Sequence, residues 1–116
     1  NLKKIIKIIH KEIRKKMKLF LKKNKDKKIV ILDIPLLLEN KINNKKDILV
    51  FVDSKKKDIE KRLKKRQNFN SELFNQFKKN QISVYYKKKI SHYIIKNDFT
   101  KKSVKKGIKN ILNAIL

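Results

Sequence analysis

The stretch that most constrains the fold is residues 29–39, Ile29-Val30-Ile31-Leu32-Asp33-Ile34-Pro35-Leu36-Leu37-Leu38-Glu39, the longest apolar run in a chain otherwise saturated with lysine. Consecutive apolar and β-branched residues fit a strand covered on both faces, as in a parallel α/β sheet, better than the alternating pattern of a half-exposed strand. Asp33 falls where such a strand runs out, and the carboxyl end of the strands is where open α/β sheets bind ligands. Pro35, the only proline, lacks a backbone N–H and turns the chain away from the ladder. The run is interrupted by Asp33 and Pro35 well short of the roughly 20 apolar residues of a membrane span.

Length and composition bound the rest. A chain of 116 residues can build one small core, and no domain boundary or internal repeat is visible. The absence of Cys excludes disulfides and thiolate metal sites and suits a reducing compartment. No uninterrupted apolar leader stands at the front, where Lys and Ile mix every two or three residues. A soluble, cytoplasmic protein is the expectation.

The net charge of +25 raises the question of a polyanion partner. Of the 35 basic residues, however, only Arg14, Arg62 and Arg66 are Arg; the remainder are Lys, spread along the whole chain beside abundant Ile and Asn. Lys, Ile and Asn are residues of A- and T-rich codons, so genome composition explains the excess without a nucleic-acid groove. Such a groove would gather the charge on one face and interleave aromatics for stacking. Arg retained where Lys is the default points to a need for the planar bidentate fork.

Along the chain, Leu2, Ile5, Ile6, Ile9, Ile13, Met17 and Phe20 recur at helical spacing and predict a long amphipathic helix over residues 1–23. A strand is expected at 29–34, a turn or short helix at 35–40, and a polar loop at 41–46. A second buried strand is expected over 47–53, paired with the first across a short crossover. A helix capped by Ser54 runs to about Arg66, burying Ile59 and Leu63. Asn70 or Ser71 caps the next, with a stripe of Leu73, Phe74 and Phe77, and a further helical segment covers 84–89. A short third strand, Tyr93-Ile94-Ile95, ends at Asn97, and Thr100 caps a terminal helix through Val104, Ile108, Ile111, Leu112 and Ile115. Gly107, the only glycine, lies inside that helical pattern. The layout is α/β with a helical insertion.

At this level of detail the order of residues resembles a family. Dephospho-coenzyme A kinases carry a strand ending in Asp-(Val/Ile)-Pro-Leu-Leu-Phe-Glu, and residues 33–39 read Asp-Ile-Pro-Leu-Leu-Leu-Glu. Asp47, the pair Arg62 and Arg66, Gln81 and Asn97 then follow in the family's order, and Ile8-Ile9-His10-Lys11 is similar to its Ile-x-His-Pro with Lys in place of Pro. Two departures stand out. Ser91-His92 replaces the family's Ala-Asp, and neither the phosphate loop, Gly-x-x-x-x-Gly-Lys-Ser/Thr, nor the following catalytic Asp occurs in these residues. The resemblance therefore implies a single incomplete domain, a partial P-loop nucleotide-kinase fold whose parallel sheet is flanked by helices. A helical lid would lie at about 62–90, and the front third would precede Asn1.

The implied reaction is transfer of the ATP γ-phosphoryl group to the 3′-hydroxyl of the dephospho-coenzyme A ribose, the last step of coenzyme A biosynthesis, with ATP and Mg²⁺ required. Arg62 and Arg66, one helical turn apart, are the expected phosphate clamps, Arg66 foremost and with a catalytic part. Asp33, the other residue expected to have a catalytic part, would hold Mg²⁺ directly or through water, or orient the acceptor. His10, Asp33, Leu36 and Glu39 would line the acceptor site, and Asn97 would meet the adenine. Beyond ATP and dephospho-coenzyme A no membrane or nucleic-acid partner is expected, and the complete chain is expected to be a monomer. The rival, from a different class, is a small basic RNA-binding or ribosome-associated module.

Overall fold

Lysine-flanked apolar stripes at three- and four-residue spacing become helices wherever they occur, and two short β-branched runs become the sheet. The computed structural model describes residues 2–34, 37–66 and 70–116, with the backbone alone at 2, 73, 74, 76, 77 and 80. The chain divides into two units, Asn1–Asn44 and Lys45–Leu116.

In the first unit α1 spans Leu2–Lys23, and Lys22 and Lys23 in its last turn complement the negative end of the helix dipole. Asn24 closes it. Its backbone N–H and its Nδ2 both donate to the Phe20 carbonyl, at 3.1 and 2.8 Å, taking up an otherwise orphan acceptor. Farther on, the Ile42 N–H donates to Leu37 O and the Lys41 N–H to Leu38 O, with Lys41 in the left-handed region at φ 52°. This is the two-bond closure that ends helical turns, and it seats Ile42 in the interior. Arg14 Nη2 donates to the Asn40 carbonyl at 3.2 Å, tying α1 to that turn.

The second unit is a β–α–α–α–β–α arrangement. Strand β1 (Val50–Asp53) leads through α2 (Lys56–Lys64), α3 (Ser71–Asn80) and α4 (Val84–Ile90) to β2 (Tyr93–Lys96), and α5 (Lys101–Ile115) follows. The two strands are parallel, with Val50 opposite Tyr93 and Asp53 opposite Lys96. Backbone bonds extend the pairing at both ends: the His92 and Tyr93 amides donate to Leu49 O, and the Asn97 amide donates to Asp53 O at 2.8 Å. His92 has a structural part here. Its Nδ1 accepts the Leu49 N–H at 2.9 Å and so anchors the entry of β1. Helix α5 lies on β2. A Cβ on Gly107 would come within 2.9 Å of Ile95 Cγ2, so the only glycine sits where the helix backbone approaches the strand too closely for a side chain to fit without a shift.

Most sequence expectations for the helices hold. Asn70 caps α3 by accepting the Glu72 N–H at 2.9 Å, and Thr100 caps α5 by accepting the Ser103 N–H at 3.4 Å. Five expectations are corrected. Helix α2 does not bury Ile59, which is 41% exposed, and leaves Leu63 half-buried. The buried strand expected over 47–53 is the shorter β1, whose Val50 and Val52 are exposed because no second layer covers that face among the described residues. Residues 29–34 form no strand: their backbone is irregular, Ile31 is 82% exposed, and the sheet contains only β1 and β2 among the described residues. An apolar run specifies a preference for burial, whereas a strand exists only where a neighbouring edge supplies its hydrogen bonds. For the same reason the parallel partner of β1 is β2 and not 29–34. Ser54 does not cap α2, whose N-cap is Lys55 without a side-chain bond. Pro35 and Leu36 lie outside the described residues, as do the side chains of Leu73, Phe74 and Phe77. Among the described residues no helix is long and apolar enough to cross a membrane.

Candidate functional site

Parallel pairing places the ends of β1 and β2 side by side, so the residues that follow each strand converge on one edge. Asp53 ends β1 and pairs with Lys88 Nζ of α4 at 2.9 Å, which joins the last helix of the crossover to the strand end. Asn97 follows β2 directly. It is half-buried, its amide completes the ladder, and its Oδ1 accepts the Phe99 N–H at 2.8 Å.

Asp98 organises the start of α5. Its Oδ1 accepts from the Thr100 amide at 2.9 Å and from the Thr100 and Ser103 hydroxyls at 2.5 Å each. These bonds, Ser103 first and Thr100 next, favour the charged carboxylate and bring its pKa from the usual 3.8 down to about 2. A group with a depressed native pKa adds stability above its unfolded value and loses it as pH falls through the native one. Thermal stability should therefore decline between about pH 4 and pH 2 in the wild type. In Asp98→Asn that portion of the decline should be absent, with lower stability at neutral pH. A melting series from pH 2 to 7 checks it, and identical acid profiles would contradict the assignment.

Directly after Asn97 and Asp98 comes Phe99, at φ 65°, with the Arg62 guanidinium over its ring at 4.5 Å from the centroid. The contact brings the carboxyl-terminal turn of α2 to the loop after β2, so two of the residues expected to bind ATP, Arg62 and Asn97, converge in this unit. Arg66 does not share the contact. It lies beyond the Lys65 C-cap in an exposed bend, its amide donating to Leu63 O at 3.1 Å.

The remaining expected residues belong to the first unit. His10 is half-buried on α1, one turn before Arg14. Asp33 is exposed on the irregular segment, and Glu39 is half-buried in the turn that Leu37 and Leu38 close. Leu36 lies outside the described residues. No three of His, Asp and Glu gather into a metal-holding cluster among the described residues. Mg²⁺ accompanying a nucleotide needs no such cage, since it keeps several waters and binds through phosphates and one or two carboxylates.

Sequence reasoning missed Asp53, Lys88, Asp98 and Phe99. Asp98, with Thr100 and Ser103 at two and five residues on, had a local signal in the helix-start chemistry of Asp, Thr and Ser. The other pairings join residues 35 and more positions apart and carry no local signal.

Comparison with known proteins bears on the whole constellation. Residues 1–103 match the family model for dephospho-CoA kinase. The dephospho-CoA kinase of Wolbachia pipientis wMel is 32% identical over 110 residues, which cover 93% of this chain and 56% of that protein. The enzyme of the same name from Wolbachia sp. subsp. Brugia malayi (strain TRS) is 25% identical with the same coverage, and that of Bacillus cereus is 32% identical over 104 residues, 90% of this chain and 51% of its own. No solved structure matches. The chain spans about half the length of the curated relatives it matches. With the Asp33-to-Glu39 signature, the parallel strand pair and a family match across almost all of its residues, the chain belongs to the dephospho-CoA kinase family.

Proposed function

We propose that this chain is the acceptor- and lid-bearing part of a dephospho-coenzyme A kinase, acting in the cytoplasm as a monomer within one kinase domain. The observation that carries the reading is the family match over residues 1–103. In the reaction the 3′-hydroxyl oxygen of the ribose bonds to the ATP γ-phosphorus, the bond from that phosphorus to the β–γ bridging oxygen breaks, ADP departs, and the hydroxyl proton passes to a base. That base and the phosphate loop are not among these residues.

Phosphoryl transfer of this kind depends on positioning and on neutralising phosphate charge. Arg62 at the strand edge and Arg66 on the exposed bend are suited to clamp the triphosphate, and Asn97 to meet the adenine. Residues 62–90, from the end of α2 through α4, would form the lid that closes on the nucleotide and excludes water. Asp33, with its exposed carboxylate, is suited to Mg²⁺ or to orienting the acceptor, and His10, Leu36 and Glu39 to the acceptor side. Mg²⁺, when bound with ATP, supplies charge neutralisation at the transferring phosphoryl group.

The test is made on the full-length chain that carries these residues. ATP and dephospho-coenzyme A should each raise its melting temperature saturably, by the equivalent of about 2.7 kcal/mol at a hundred times Kd. The charge of +25 favours one alternative, an RNA-binding module. Tight binding to a generic RNA with a steep salt slope, and no response to either substrate, would replace the kinase reading.

A further inference from the structure

We infer that Phe99 is a positioning residue for Arg62: held in a left-handed turn by the side chains of Asn97 and Asp98, its ring fixes the guanidinium at the carboxyl end of β2, where Arg62 meets a phosphate of the nucleotide. The inference rests on the proposed role of Arg62 as a phosphate clamp and adds to it the part that holds the clamp in place.

The backbone at Phe99 is the first observation. A φ of 65° is uncommon for any residue with a Cβ and costs most for a bulky one. Such a conformation persists only where the surroundings over-determine it. Here they do so from both sides. Asn97 Oδ1 accepts the N–H of Phe99 at 2.8 Å, and Asp98 Oδ1 accepts the next N–H, that of Thr100, at 2.9 Å. The Asn97 amide is bound in turn to Asp53 O, so the turn is pinned to the sheet, and Thr100 pins it to α5. A flexible loop tip is thereby made a rigid platform.

What the platform carries is the second observation. The Arg62 guanidinium lies 4.5 Å from the Phe99 ring centroid, within the range of a cation–π contact. Among the described residues no carboxylate pairs with Arg62. The chemistry of the two groups is compatible with a third partner, because an aromatic ring engages the face of the guanidinium whereas its five N–H donors lie in its plane. Stacking restricts a long, rotamer-rich side chain without consuming the bidentate fork that recognises phosphate. A carboxylate partner would restrict it too, but would occupy the fork and cancel the charge. The simpler alternative is that the ring merely staples α2 to the loop, in which case its loss would weaken the fold and leave the nucleotide untouched.

The two readings separate in the full-length chain, with ATP affinity followed by titration calorimetry and stability by thermal melting. Phe99→Gly removes the ring and relieves the backbone, so the melting temperature should stay at or above the wild-type value. ATP should nevertheless bind about two- to fivefold more weakly, the worth of an exposed cation–π contact. Phe99→Asn, which also tolerates the left-handed region, should lose affinity to the same degree. Phe99→Trp should keep it. In an Arg62→Ala background, which itself weakens binding, Phe99→Gly should cause no further loss. Unchanged ATP affinity in both ringless variants, or a loss that adds fully to that of Arg62→Ala, overturns the positioning role and leaves the clamp intact. Unchanged affinity in Arg62→Ala overturns the clamp, and the positioning role with it.

Discussion

Incubated with ATP, Mg²⁺ and dephospho-coenzyme A, residues 1–116 alone should form no coenzyme A above the protein-free background. The reason is chemical content. Phosphoryl transfer requires backbone N–H groups and a lysine that cradle the β- and γ-phosphates, with a base that takes the acceptor proton. These residues contain one glycine, inside α5, and no Gly-x-x-x-x-Gly-Lys-Ser/Thr. In the proposed roles Arg62 and Asn97 would contact the nucleotide, but they would not hold the reacting phosphorus in line with the acceptor. Kinases turn over at about 1–100 per second, so the expected loss is the entire rate. Chromatographic detection of product over hours checks it, and saturable, ATP-dependent turnover by this segment would contradict the account.

Gly107→Val should lower the unfolding free energy by about 2–3 kcal/mol, the cost of forcing methyl groups into a packed contact, with a β-branched residue added to a helix interior. The approach is specific: a Cβ at Gly107 would stand 2.9 Å from Ile95 Cγ2 and 3.3 Å from Cγ1, both on the short, stiff part of an isoleucine. Gly107→Ala should cost less, because alanine returns about 1 kcal/mol of helix propensity against the same clash. Replacing Ile95 by Ala in the Gly107→Ala chain should recover part of the loss, a favourable coupling between touching residues. Urea titrations with an unchanged slope provide the measurement. If Gly107→Ala were stabilising by the full propensity gain, the packing of α5 on β2 would be looser than the structure has it.

The helices were legible because their signals are local. Apolar spacing of three and four residues placed α1 and α5, and the oxygen-bearing side chains of Asn70 and Thr100 marked where α3 and α5 begin. β2 was legible as well, since Tyr93-Ile94-Ile95 is bounded by polar residues on both sides. Residues 29–34 show where this logic stops. Five of their six residues are apolar, yet they form no strand among the described residues, because pairing depends on an edge that no local pattern can provide. At the candidate site, Arg62 and Asn97 were named from the resemblance, whereas the contact that links them was not foreseeable. Phe99 lies 37 positions from Arg62, and nothing in its type announces a positive φ.

The amino-acid sequence by itself determined the helical segments, two of their caps and the family signature at Asp33 to Glu39, for each is written in the spacing of neighbours along the chain. Only the tertiary structure decided that β1 pairs with β2, that Asp53 meets Lys88, and that Arg62 rests on Phe99 beside Asn97. The physical reason is the same in all three. These contacts join residues far apart in the chain, and their geometry follows from how the strands pair and how the intervening helices return to them.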